Sequence, residues 1–128
     1  MNYTFNRTID GNFGSAVDRT IAALKTEGFG VLSDIDVQAT LKAKLGVEFQ
    51  RYRILGACNP QLAYAALQSE PTIGVMLPCN VVVRETSPDK IDISAIDPRT
   101  SIAQLDKPNL TSIATSVAEK LQRVVATL

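Results

Sequence analysis

The chain has 128 residues, of which 13 are basic and 13 acidic, with 45% hydrophobic and 20% charged residues and neither histidine nor tryptophan. That is the length of one domain, which can bury roughly two-thirds of its unfolded surface without needing a metal or a disulfide. The balanced charge provides no drive toward a phosphate backbone, so nucleic acid is not an expected partner. The missing histidine excludes serine–histidine and cysteine–histidine catalysis in their usual forms, and histidine-based zinc sites within one chain.

The opening Met1-Asn2-Tyr3-Thr4-Phe5-Asn6-Arg7 lacks the charged start and apolar run of a signal peptide. No apolar stretch approaches the ~20 residues that span a bilayer. A cytoplasmic protein with no membrane partner is expected, with its two cysteines as thiols.

Tyr3 to Ile9 alternates Tyr3, Phe5, Arg7 and Ile9 against Thr4, Asn6 and Thr8, which predicts a strand. Asp10-Gly11-Asn12 turns the chain and supplies a helix cap. Phe13, Val17, Ile21 and Leu24 then recur at helical spacing, ending at a C′ glycine, Gly28. Phe29 to Asp34 predicts a second strand. Val37, Leu41 and Leu45 form the stripe of a short helix stopped by Gly46. Tyr52 to Ala57 is a third strand. Pro60 opens a helix with Leu62, Ala63, Ala66 and Leu67 facing inward, and Pro71 ends it.

Thr72 to Thr86 has the strongest strand character, interrupted by Pro78. It predicts either two strands, Ile73–Leu77 and Asn80–Thr86, or one strand bent at Pro78. Ser87-Pro88-Asp89 is a turn. Lys90 to Ile96 follows, with Ile91, Ile93 and Ala95 alternating against Asp92 and Ser94, as in a hairpin with one wet face. A short helical turn within Thr100 to Asp106 and a cap at Asn109 precede the last helix. Its stripe is Leu110, Ile113, Val117, Leu121, Val124 and Leu128. This order predicts α+β architecture, with helices on one face of a mostly antiparallel sheet.

Two segments carry unusual residues: Ile54-Leu55-Gly56-Ala57-Cys58-Asn59-Pro60, and Ile73-Gly74-Val75-Met76-Leu77-Pro78-Cys79-Asn80-Val81-Val82-Val83. With Leu62, Ala63, Ala66, Leu67, Glu70-Pro71 and Ala95-Ile96-Asp97-Pro98, they resemble the signature of domain-of-unknown-function family 302, from Tyr3 to the last helix. The resemblance implies a TATA-binding-protein-like fold. That means a curved, mostly antiparallel sheet backed by helices, a β-α-β(4)-α core with extra short helices, and often a homodimer. It implies neither an established activity nor DNA binding.

Cys58-Asn59 and Cys79-Asn80 repeat one dipeptide beside Pro60 and Pro78. Cys58 is expected at a strand end before a helix N-terminus, where unpaired amides lower a thiol pKa. Two thiolates suit Cu(I) or zinc, although the spacing is not CxxC. The plainer reading makes both cysteines small core residues. Asn59 then caps the helix opened by Pro60, and Asn80 serves backbone groups near Pro78. Glu70 is expected to pair with Arg51 or Arg53, and Asp97-Pro98 to form a turn. Arg84 and Arg99 have the chemistry to bind an anion, though isolated arginines are usually solvated. Gly28-Phe29-Gly30 and Gly11-Asn12-Phe13-Gly14 are not dinucleotide fingerprints.

No motif specifies a cofactor or a reaction. The leading expectation is a small homodimeric module whose cleft, lined by Cys58, Asn59, Pro78, Cys79 and Asn80, holds a small molecule. One alternative is a thiol-based redox or soft-metal protein using Cys58 and Cys79. The other is a structural or protein-interaction domain.

Overall fold

The computed structural model describes residues 2–128. Strands β1 (Thr4–Asp10), β2 (Gly30–Asp36), β3 (Tyr52–Cys58), β4 (Cys79–Ser87) and β5 (Lys90–Ile96) form one sheet in the order β1-β5-β4-β3-β2, with every pairing antiparallel. The helices are α1 (Phe13–Thr26), α2 (Val37–Leu45), α3 (Pro60–Ser69) and α4 (Pro108–Ala126).

Period-two alternation decides the two faces of the sheet. Leu55, Ala57, Val81, Val83, Ile91, Ile93 and Ala95 point to one side and are buried. Helices α1 and α4 pack on that side through Phe13, Val17 and Leu24, and through Val117, Leu121 and Val124. Thr20, fully buried on α1, donates its hydroxyl to Ala16 O at 2.8 Å, so its burial leaves nothing unpaired. A smaller core of Ala66, Ile73, Ile102, Leu110 and Ala114 joins α3 to α4.

The expected cap at Asn12 and the stop at Gly46 are observed, and Asp36 adds a cap to α2. Asn12 accepts from Ser15 N at 3.1 Å and Asp36 from Ala39 N at 2.9 Å, while Gly46 ends α2 in the left-handed region. The stripe expected on α2 is only partly covered, however: Val37 and Leu41 are half-buried, Leu45 is exposed, and α2 has no fully buried residue.

Two other expectations are corrected. Ile73–Leu77 is not a strand, because Pro71–Met76 is a 3₁₀ helix. Ile73 is drawn under α4 into the smaller core, and the β4 ladder starts only at Cys79, so packing overrides strand propensity. Nor does Asn109 cap α4. Pro108 occupies the first helical turn and Lys107 the cap position, without a side-chain bond. No helix is long and apolar enough to cross a membrane among the described residues.

Candidate functional site

Cys58 is the last residue of β3, and Cys79 is the first of β4, opposite Ala57. Both line a pocket of about 30 Å³ between the sheet end, α3 and α4, together with Asn59, Pro78 and apolar residues such as Leu62 and Ile102. A water needs at least ~10–15 Å³ by this kind of measure, so the pocket suits one water-sized group and excludes a metabolite.

Asn59 is committed to structure. Its Oδ1 accepts from Leu62 N at 3.3 Å, capping α3, and its Nδ2 donates to Glu27 O at 3.3 Å. Gly28, at φ 84°, packs so closely that a Cβ there would meet Asn59 Nδ2 at 3.0 Å.

Asn80 does not join this pocket. It pairs with Gly56 and points to the opposite, open face, where it is exposed. Two grooves meet there at Asn80 and Ile96. One, of about 290 Å³, is lined by Val75, Met76, Leu77, Pro78 and Cys79, among others. The other, of about 520 Å³, runs over the sheet past Asn6, Tyr52, Arg84, Asp92 and Ser94. The structure thus splits the five sequence candidates: Cys58, Asn59, Pro78 and Cys79 converge inside, while Pro78, Cys79 and Asn80 border the outer groove. Pro78, after a cis peptide, and Cys79 form the wall between.

The outer residues that sequence reasoning did not single out as one site are Asn6, Tyr52, Asp92 and Ser94. Alternation in Lys90–Ile96 carried part of the signal, because it sets Asp92 and Ser94 on one face. The strand register that brings Arg84 beside them was not readable.

Burial pushes the Cys79 thiol up to about 11 from an ordinary value near 9, with neighbouring Cys58 adding to the effect. The folded chain therefore keeps this proton through a range in which the unfolded chain has lost it, and stability falls as pH rises from about 9 to 11. Urea unfolding should show a loss of roughly 2 kcal/mol across that range, absent in Cys79→Ala. Identical slopes would show that Cys79 ionises freely.

The acids pair locally. Glu70 pairs with Lys107, not with Arg51 or Arg53, because the end of α3 meets the start of α4. Lys107 holds the Glu70 carboxyl below its usual range. Arg53 instead faces Asp34 across the β2–β3 pair. Asp97 accepts from Arg99 N at 3.0 Å and from its guanidinium Nε at 2.9 Å, as a turn-capping carboxylate does. No cluster of three or more metal-ligating side chains occurs among the described residues.

These features define a class: an α+β domain built on one five-stranded antiparallel sheet, packed by helices on one face and grooved on the other. The chain belongs to the family described as domain of unknown function DUF302, whose model matches residues 5–128. It is similar to the crystal structure of an uncharacterized conserved DUF302 protein from Bacillus stearothermophilus, with 28% identity, a TM-score of 0.89 and 98% of each chain covered. No protein of curated function matches it.

Proposed function

We propose that this protein is a small-molecule-binding module whose ligand lies in the grooves of the open sheet face. The observation that carries this reading is the meeting of the two grooves at Asn80 and Ile96, with volumes of about 290 and 520 Å³. Pockets that bury small ligands span ~300–1,000 Å³. The inner pocket of about 30 Å³ is too small for that role.

A homodimer belongs to the same reading. Strand β2 lies at a sheet edge with Leu32 and Ile35 exposed, and the connection through α2 to β3 exposes Leu45, Val47 and Phe49. An uncovered apolar edge is what a second copy would cover. The TATA-binding-protein-like architecture is supported by the β-α-β(4)-α order and contributes no function of its own.

A second reading rests on Cys58 and Cys79 lining one pocket. Two sulfurs there would hold a soft cation such as Cu(I).

Native mass spectrometry of protein purified gently from its own cells separates these readings. A dimer carrying an organic adduct is expected, and Asn80→Trp, which fills the groove from an exposed position, should remove that adduct while the fold is kept. A metal mass abolished by Cys58→Ser but kept in Asn80→Trp would replace the groove with the thiol site. A bare protein with reduced thiols would leave the groove without a ligand and overturn the proposal.

A further inference from the structure

Resting on the reading of the grooves as a ligand site, we infer that the ligand is an amphipathic monocarboxylate whose head is held by Arg84. Arg84 stands in the middle of the open face, opposite Asp92 on β5 and Tyr52 on β3. Arg84 and Asp92 are the charged residues among those lining the two grooves.

Their exposures differ sharply. Asp92 is only 4% exposed. Its carboxylate accepts from Ser94 Oγ at 2.7 Å and Thr8 Oγ1 at 3.4 Å, and Arg84 Nε approaches it at 3.4 Å. Those partners occupy Asp92, so it offers a ligand little. The Arg84 side chain is 40% exposed and meets Asp92 through Nε. Neither Nη makes a hydrogen bond among the described residues. Asp92 therefore orients the guanidinium and leaves its two-pronged end facing the groove. That end matches a carboxylate through two parallel hydrogen bonds. Asn80, exposed four residues along the same strand and on the same face, adds an amide donor between Arg84 and the adjoining groove.

The rest of the ligand is set by the adjoining groove. Val75, Met76, Leu77, Pro78 and Ile96 line it, no charged residue does, and Val75 is 86% exposed. An apolar body seated there would cover surface that is otherwise left to water. Asp92 would repel the second charge of a dianion, and the donor-only guanidinium repels a cation, so a single negative head is the closest match.

Isothermal titration with octanoate, octanol and octylammonium, three probes differing only in the head group, tests this. Octanoate should bind at least about tenfold more tightly than octanol, and octylammonium most weakly. The Arg84→Gln/Asp92→Asn double variant removes both charges together, so no buried carboxylate is left unpaired. It should bind octanoate and octanol equally. Arg84→Lys keeps the charge without the fork and should fall between. If octanol binds as tightly as octanoate, and Asn80→Trp abolishes both, the groove stands and the carboxylate assignment falls. If none of the three binds, both readings fall.

Discussion

A Gly56→Ala variant is expected to lose about 3 kcal/mol of stability, at the upper end of what one added methyl costs in a packed site. A Cβ on Gly56 would stand 2.2 Å from Ser33 Oγ and 2.7 Å from Pro78 Cγ. The serine can rotate away. The proline ring has no such freedom, so the chain entering β4 must shift. Adding Ser33→Ala should therefore recover only a minor part of the loss in urea unfolding. Full recovery would show that Ser33, not Pro78, is the obstacle. Pro78 is also the wall between the inner pocket and the outer groove. The same variant, while still folded, should lose the ligand held there.

Leu121→Ala should cost a similar amount, about 3–4 kcal/mol, for a different reason. Leu121 is fully buried on α4 within the main core under the sheet. Its truncation removes transfer free energy and leaves a cavity that the surrounding strands cannot collapse to fill. For a domain of this size the melting temperature should fall by on the order of 10 °C. Leu45→Ala is the control. Leu45 is 67% exposed, so its loss should change stability by less than about 0.5 kcal/mol. Equal shifts in the two variants would contradict the burial of α4 described above.

Much of the architecture was legible because several signals agreed. Asn12, the Phe13–Leu24 spacing and Gly28 all point to α1. Gly46 marks the end of α2. The failures lie where long-range packing outweighs local preference. Ile73-Gly74-Val75-Met76 has strand composition, yet only Ile73 is buried, and it enters a small core that forms once α4 is in place. The repeated Cys-Asn dipeptide suggested one cleft. Alternation and strand ends divide it instead: Asn59 leads into a helix, whereas Asn80 lies within a strand on its open side. Arg84 beside Asp92 depends on a hairpin register that a bulge between Glu85 and Ser87 shifts by one residue, and sequence spacing alone does not show it.

The strand order also governs how the chain folds. Strands β2 to β5 each pair with the next in sequence, so that part of the sheet can zip from near-neighbour contacts. Strand β1 is the exception. Thr4 finds its partner at Ile96, 92 residues further along the chain. Closing so large a loop costs entropy before any ladder bond repays it. On a ribosome, the first strand made must wait unpaired until the last has emerged, and its arrival completes the sheet.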